Sequence, residues 1–111
     1  MEDARIWKAL GSPHRRALLD ALKDGPKTTS ALCEVLPRLS RYAVMQHLGV
    51  LERAEVVLVR REGRERWNAL NAVPIQRELE RWLNGFQQAS ASQLLAFERH
   101  LQETAAEEKE D

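Results

Sequence analysis

The sequence lacks several features that mark common classes of protein. It contains one cysteine, Cys33, which excludes an internal disulfide and is typical of a protein of the reducing cytoplasm. Its apolar runs are only a few residues long, as at residues 56–59, and none is long enough to span a membrane. Residues 1–3 do not begin a secretory signal. These absences predict a cytoplasmic protein with no membrane partner.

A net charge is also absent, because 17 Lys or Arg balance 17 Asp or Glu. The two signs are nevertheless separated along the chain. Residues 1–72 contain 13 Lys or Arg against 9 Asp or Glu, whereas residues 73–111 contain 4 against 8. We predict one folded domain over residues 1–103, with its basic excess in the first part, followed by a disordered acidic tail over residues 104–111.

Motifs for catalysis are missing as well. There is no Gly-rich phosphate loop, no nucleophile elbow and no paired set of metal ligands. Cys33 and the three histidines, His14, His47 and His100, do not have the spacing of a catalytic triad. We therefore predict that the protein is not an enzyme and has no catalytic residues, no cofactor and no metal.

What is present is a pair of short helices at residues 28–53. Thr28 or Thr29 can cap the first helix and Ser40 can cap the second, because these side chains accept from free backbone N–H groups. Pro37 ends the first helix, and apolar spacing carries the second to about Arg53. Two short helices joined by a turn of about three residues are typical of a DNA-binding helix-turn-helix.

A basic hairpin is predicted directly after this helix pair, at residues 56–70. Residues 56–59 and 66–70 have strand-like composition, and Gly63 in the segment between them can adopt a positive φ. A helix-turn-helix followed by a hairpin of this kind is the layout of a winged helix. The sequence thus predicts a mainly α fold with a small β-hairpin.

The final segment, residues 74–103, is predicted to be helical, with apolar residues that recur at intervals of three and four. A continuous helix from Pro74 to Leu101 would be about 42 Å long, which is more than a domain of this size covers easily, although Gly85 leaves its continuity open. We predict that this helix and the first one form a homodimer interface. Its residues would be Ile6, Trp7, Leu79, Trp82, Phe86, Leu94, Phe97 and Leu101.

These motifs resemble the ArsR family of bacterial winged-helix repressors. The resemblance lies in residues 6–16 (IWKALGSPHRR), in the recognition segment at residues 39–51 and in the wing at residues 59–64 (VRREGR). Residues 40–48 (SRYAVMQHL), with PIQ at 74–76 and RWL at 81–83, are similar to a metal-independent subgroup. The resemblance implies a homodimeric repressor of its own operon, in a subgroup often encoded beside proteins with a START-like fold.

The best-known members of that family release DNA when a metal binds, and this chain departs from their ligand pattern. By the resemblance, Thr29 and Ala31 stand where a Cys-X-Cys pair would be, and neither is a thiol. Cys33 then falls at a position that is ordinarily apolar, so we interpret it as a buried structural thiol. The last helix offers only His100, whereas a closed zinc site needs about four ligands.

The predicted DNA contacts come from three places. The early, outward residues of the second helix would read base edges in the major groove, the wing arginines would bind phosphate or the minor groove, and the start of the first helix would bind a phosphate. The residues are Thr28, Thr29, Ser40, Arg41, Tyr42, Gln46, His47, Arg60, Arg61, Arg64 and Arg66. Two protomers would read a two-fold symmetric operator in double-stranded DNA.

Alternatives remain open for some of these residues. Tyr42 could instead pack against the body of the domain, His47 could have a core or helix-bonded role, and some wing arginines could form surface ion pairs with Glu62 and Glu65. The competing function for the whole chain is a winged helix that serves only as a protein–protein interaction module.

Overall fold

The computed structural model describes residues 1–110, except for the side chains of residues 88, 90, 109 and 110. The predicted fold class is confirmed: the described residues are mainly helical, with one small antiparallel sheet in a winged helix-turn-helix. The elements are α1 (Ala4–Leu10), α2 (Pro13–Ala21), β1 (Lys27–Thr28), α3 (Thr29–Val35), α4 (Arg41–Arg53), β2 (Val57–Glu62), β3 (Glu65–Leu70) and α5 (Val73–Glu110). None of the described helices has the length and apolar composition needed to cross a bilayer.

Three helices begin at capping residues that the sequence predicts, which are Ser12 directly before Pro13, Thr28 or Thr29, and Ser40. The hydroxyl of Ser12 accepts from the backbone N–H of Arg15, and Pro13 occupies the start of α2, where a missing N–H has no cost. Thr28, rather than Thr29, caps α3. Ser40 caps α4 by accepting from the N–H of Ala43 at 3.1 Å. These local bonds set where the helices of the helix-turn-helix begin.

The end of α1 is capped by arginines from α2. Arg15 donates from Nε to the carbonyl of Ala9 and from Nη2 to the carbonyl of Lys8, and Arg16 donates to the carbonyl of Leu10. The last carbonyls of a helix lack intrahelical partners and carry partial negative charge. The two guanidinium groups therefore satisfy the end of α1 and join it to α2.

The core forms where the apolar faces of α1 to α4 meet the sheet. Val44, Leu48 and Leu51 of α4 are fully buried, as the sequence predicts for its inward face. The other members of the core are Ile6, Ala9, Leu18, Leu19, Leu22, Leu32, Ala54, Val56 and Val57. The apolar spacing of Ala31, Leu32, Val35 and Leu36 predicts that these residues form the buried stripe of α3, but Val35 is instead exposed in the last turn of that helix.

The sheet has the order β1-β3-β2, and both pairings are antiparallel. The strands of the hairpin are longer than the sequence predicts, because β2 continues to Glu62 and β3 starts at Glu65, with these two residues paired. Only Gly63 and Arg64 remain as the turn, and Gly63 has a φ of 62°, as a two-residue hairpin turn requires. The wing is thus a paired ribbon almost to its tip.

The C-terminal part differs from the single domain predicted over residues 1–103. The chain divides into two compact units, Met1–Glu78 and a second unit from Leu79 onward. Helix α5 is continuous from Val73 to Glu110, so the segment predicted to be disordered from residue 104 is helical as far as it is described. Ala105 and Ala106, followed by Glu107 and Glu108, have high helix propensity, which accounts for the extension. Asp111, the end of the predicted tail, lies outside the described residues.

A non-glycine residue closes α4 in the left-handed conformation. Glu55 has a φ of 62°, and its N–H donates to the carbonyl of Glu52, while the N–H of Val56 donates to the carbonyl of Leu51. This is the Schellman pattern, in which glycine is favoured because a Cβ is strained at positive φ. Asn71 holds the strained residue by donating to its carbonyl at 2.9 Å.

We predict that Glu55→Gly stabilises the fold by about 1 kcal/mol, because it removes the Cβ from the left-handed position. Urea denaturation at pH 7 would measure the change. Glu55→Ala is the matched control, since it removes the same charge and keeps the Cβ. Equal stabilities of the Gly and Ala variants would contradict the strain argument.

Candidate nucleic-acid interface

The two helices of the helix-turn-helix are joined by a direct side-chain contact. Arg41, the first residue of α4, donates from Nη1 to the hydroxyl of Ser30 in α3 at 3.2 Å. Both side chains are exposed, so the contact lies at the surface where the N-terminal ends of the two helices meet. Arg41 thus stands, as predicted, at the exposed start of α4, although one of its donors is already used.

The face of α4 opposite the core presents the other predicted base readers. Tyr42 is 74% exposed and Gln46 is exposed one turn further on. The alternative in which Tyr42 packs against the body of the domain is therefore wrong for this structure. The phenol of Tyr42 and the amide of Gln46 are thus exposed hydrogen-bonding groups on one helix, and such groups can bond to base edges in the major groove.

His47 lies on the flank of α4 and contacts α2. Its Nδ1 is 3.2 Å from Nη1 of Arg15, and its ring centroid is 5.5 Å from that of His14. A guanidinium has only donors, so Nδ1 of neutral His47 is the acceptor and its proton is on Nε2. Burial lowers the pKa of His47, and the positive charge of Arg15 and the neighbouring His14 lower it further. The helix-bonded role left open for His47 has direct support.

The wing arginines have different surroundings. Arg60 lies 3.7 Å from Glu62 in an ion pair whose members are both largely exposed, a contact of small energy. Arg61 and Arg64 are exposed near the tip, and the described residues contain no ion pair for either of them. Of the predicted wing contacts, these two present their charge to solvent most directly.

Arg66 has an architectural contact instead. Its Nη2 donates to Oε2 of Glu52 in α4 at 2.8 Å, and its side chain is only 17% exposed. Arg66 faces Arg61 across the two strands, where like charges repel, and the carboxylate of Glu52 offsets that repulsion. The ion pair joins the wing to the recognition helix, so Arg66 does not present a free guanidinium to DNA.

A buried hydrogen-bond network joins the start of α3 to the sheet. The amide of Asn68, fully buried in β3, donates to the hydroxyl of Thr29 at 3.1 Å and to the carbonyl of Lys27 at 3.3 Å. The Thr29 hydroxyl in turn lies 3.4 Å from the carbonyl of Arg66. Thr29 is 1% exposed, so the prediction that it contacts phosphate is wrong for this structure. Thr28 keeps partial exposure beside it.

The residues at the positions considered for metal binding have other surroundings in this structure. In the part of the chain that is described, no three His, Cys, Asp or Glu side chains come together as metal ligands would. Cys33 is half-buried against the core cluster. Thr29, which the resemblance places at a thiolate position, uses its hydroxyl within the sheet network described above.

Two residues of the predicted dimer interface lie in the first unit, and the structure places both against the unit itself. Ile6 is 1% exposed in the core, so its assignment to an interface is wrong. Trp7 is partly exposed, and its indole N–H donates to Oε1 of the buried Glu78 at 2.8 Å. Ile6 therefore belongs to the core of the protomer, whereas the interface assignment of Trp7 stays a prediction.

The other predicted interface residues lie on α5. Leu79 is half-buried, and the five that follow are between 46% and 58% exposed: Trp82, Phe86, Leu94, Phe97 and Leu101. At about 100° per residue, these positions share one face of the continuous helix within an arc of roughly 120°. Trp82 and Phe86 pack edge to face with ring centroids 5.0 Å apart. The second unit therefore presents a contiguous apolar stripe.

Some site residues were missed by sequence reasoning. Glu52 and Asn68 act through partners distant in sequence, and no local pattern identifies such pairings. Gly49 and Arg53 could have been found, because they continue the spacing of Tyr42 and Gln46 along the same face of α4.

A recognition helix with a polar outward face, followed by a basic paired hairpin, defines a winged-helix DNA-binding protein. A sequence profile described as a helix-turn-helix domain matches residues 10–60. The chain is 33% identical over 79 residues to the transcriptional repressor SdpR of Bacillus subtilis, covering 71% of this chain and 87% of that protein. It is 36% identical over 86 residues to the uncharacterized HTH-type transcriptional regulator YuzN of the same bacterium, covering 70% and 91%.

Solved structures give the same result. The crystal structure of an ArsR family transcriptional regulator matches with a TM-score of 0.70 and 31% identity, over 79% of this chain and 94% of that one. The chain belongs to the ArsR family of winged helix-turn-helix transcriptional regulators. It is a DNA-binding regulator, and its relatives are regulators and repressors rather than enzymes.

The surroundings of His47 predict a pH-dependent stability. Because folding lowers its pKa below the ordinary value of 6.5, the stability contributed by neutral His47 is present above that value and is lost as the pH falls below it. The Tm should therefore drop between pH 7.5 and 5.5, and His47→Gln should reduce the drop. His100→Gln, at an exposed position on α5, is the control and should leave the drop unchanged. A pH profile unaffected by His47→Gln would refute this prediction.

Proposed function

We propose that the protein is a homodimeric, sequence-specific repressor that acts in the bacterial cytoplasm on its own operon without a thiolate metal switch. The observation that carries the proposal is the pairing of an exposed polar face on α4 with a wing whose Arg61 and Arg64 point to solvent. Base edges would be read by Arg41, Tyr42 and Gln46, and phosphates would be bound by the wing and by Thr28 and Ser40 at the helix starts.

The distribution of charge supports this assignment of roles. Glu52 neutralises Arg66 and Glu62 lies close to Arg60, which leaves Arg61 and Arg64 without an ion pair among the described residues. The wing keeps a net positive charge when the remaining carboxylate, Glu65, is counted against them. Such charges act on any DNA sequence, whereas the amide of Gln46 and the fork of Arg41 can distinguish base pairs. The interface would thus combine an attraction to the backbone of any DNA sequence with hydrogen bonds that distinguish base pairs.

Homodimerisation is supported by the exposed apolar stripe of α5. Large apolar side chains exposed in a contiguous row are uncommon on monomers, and a second copy of the same helix would cover them. Gly85 lies beside Trp82 and Phe86 in a surface cleft of about 340 Å³, where a Cβ would meet no atom within 4 Å. A partner side chain could enter this cleft. Two protomers would present two recognition helices, which requires an operator of two-fold symmetry.

The absence of a thiolate switch is supported by the chemistry of the residues at those positions. Ala31 has no ligand atom, and the Thr29 hydroxyl is buried and bonded to Asn68. A metal bound there would have to break the network that holds α3 to the sheet. Addition of zinc or a chelator should therefore leave DNA affinity unchanged.

The test is selection of bound sequences from random duplex DNA, followed by affinity measurements at several salt concentrations. We expect a palindromic site whose affinity falls about a hundredfold between 50 and 200 mM salt, as about four phosphate contacts would give. Binding to heparin as tight as to every duplex would argue against sequence-specific recognition. Failure to bind any duplex would favour the protein–protein interaction module instead.

Three variants separate the roles within this experiment. Arg41→Ala and Gln46→Ala should each reduce discrimination between the selected site and a mismatched one by about 1–3 kcal/mol. Arg64→Ala should weaken binding to both duplexes by the same factor, because a phosphate contact carries no sequence information. Loss of affinity for the selected site alone in Arg64→Ala would contradict its role as a phosphate contact.

A further prediction concerns the oligomer. Light scattering at micromolar concentration should give twice the chain mass of 12.7 kDa. Phe97→Arg should give monomers, because it places a charge within the apolar stripe. Leu95→Arg is the matched control: Leu95 is as exposed as Phe97 but lies about 160° from Leu79 around α5, outside the stripe. A monomeric wild-type protein, or equal effects of the two substitutions, would contradict the proposed interface.

A further inference from the structure

The outward face of α4 extends beyond the residues already assigned to base reading. Tyr42, Gln46, Gly49 and Arg53 follow one another at intervals of four, three and four residues, the spacing of one helix face. Tyr42, Gln46 and Arg53 are exposed and Gly49 is partly exposed, whereas the opposite face of α4 is buried. Arg53 therefore lies on the same surface as the predicted base readers.

Gly49 is unusual within this face because a helix interior disfavours glycine. Its backbone has the helical conformation of its neighbours, so no turn or positive φ requires glycine there. A Cβ at Gly49 would lie 3.3 Å from Nη1 of Arg53 and 3.9 Å from Cζ and Nη2. The guanidinium of Arg53 thus folds back by one turn and lies over the position where a side chain would be.

The charge of Arg53 is not neutralised within the protomer. No ion pair of Arg53 occurs among the described residues, and the adjacent Glu52 is already paired with Arg66 at 2.8 Å. The side chain thus combines an exposed positive charge with a defined position on the recognition face. A position without a Cβ also lets another chain approach the helix backbone closely.

We propose that Arg53 is a further DNA contact of α4, which binds a backbone phosphate from the position over Gly49. The inference rests on the proposed function and names a residue of the same site. The early residues of a recognition helix reach base edges, and in homeodomains, another helix-turn-helix class, the C-terminal end of that helix contacts the DNA backbone. Arg53 is the last residue of α4, so by this analogy we assign it to a phosphate rather than a base. Gly49 is the positioning residue that leaves room for its guanidinium.

The experiment measures DNA affinity and Tm for the wild type, Arg53→Gln, Gly49→Ala and the double variant. The probes are a duplex selected from random sequences and an unrelated duplex. Arg53→Gln should weaken binding to both by about a hundredfold, because the homodimer loses one charge-assisted hydrogen bond in each protomer, and it should lower the salt slope by about two. Arg53→Lys should retain most of the affinity, because a phosphate accepts either cation.

Gly49→Ala gives the sharper test because stability and affinity should change in opposite directions. Alanine favours the helix, and only the flexible end of Arg53 must move, so the Tm should rise by about 4 °C. Affinity should nevertheless fall several-fold for both duplexes. In the Arg53→Gln background, Gly49→Ala should have no further effect on affinity, since its action depends on the displaced guanidinium.

Lys23→Gln is the control for loss of a positive charge elsewhere on the protein, at a lysine that forms an exposed ion pair with Asp20 at 2.7 Å. Lys23 lines a surface cleft with Leu70 and Ala72, at the opposite end of the hairpin from its turn, so its removal should leave affinity unchanged within about twofold.

The inference would be overturned, and the proposed function left intact, if the wild type binds DNA and Arg53→Gln does not weaken that binding. Loss confined to the selected duplex would indicate a base contact and overturn the phosphate assignment, and additive effects in the double variant would overturn the role of Gly49. A wild-type protein that binds neither duplex would instead refute the proposed function.

Discussion

The hydrogen bond between Thr29 and Asn68 fixes the relation between the helix-turn-helix and the wing. Both side chains are buried, and they connect the first turn of α3 to the central strand of the sheet. Loss of one partner would leave a buried polar group unsatisfied, at a cost of about 1–3 kcal/mol. Glu52 and Arg66 add a second link between α4 and the same strand. The angle between recognition helix and wing, on which a two-part DNA contact depends, is thus held by two polar bonds from β3 together with the apolar core that α4 shares with the sheet.

This arrangement gives a physical reason for separating the arginines of the wing by role. Arg66 is largely buried and supports the architecture, whereas Arg61 and Arg64 are exposed. A count of basic residues treats them alike, but only an unpaired, solvated guanidinium can exchange water for phosphate at little cost. The chain can therefore have no net charge and still present a positive surface.

Features that depend on local chemistry could be predicted from the sequence. Ser12 and Ser40 cap helices because each side chain bonds a backbone group three residues away, and Gly63 turns the hairpin because its φ is positive. The lengths of the strands could not be predicted. Glu62 and Glu65 have low β-propensity, yet they pair because the ladder beside them is already formed.

Features that depend on distant partners were the ones that sequence reasoning missed. The sequence predicts that Thr29 is an exposed residue at a helix start, but in the fold its hydroxyl is buried and bonded to Asn68 of β3. In the sequence, Arg66 cannot be distinguished from the other wing arginines, but in the fold it is paired with Glu52 of α4. Ile6 fits an amphipathic surface pattern equally well whether its apolar face meets a second copy or the core of the same protomer. Periodicity shows that a face is covered, and only the tertiary structure shows what covers it.

Two residues near the C-terminal end of α4 are disfavoured by a helix or by its end, and their surroundings differ: Gly49 lies within the helix and Glu55 follows its C-cap. Glu55 is strained at positive φ, but the carbonyl that the strain exposes is bonded by Asn71, so a contact within the protein compensates for it. Gly49 has no such compensation, because the nearest atoms over it belong to the exposed guanidinium of Arg53. Residue types that lower the stability of the local structure are expected at functional sites. Gly49, the residue whose cost is not compensated, lies on the face of α4 turned away from the core. A DNA-binding role requires that face to be open.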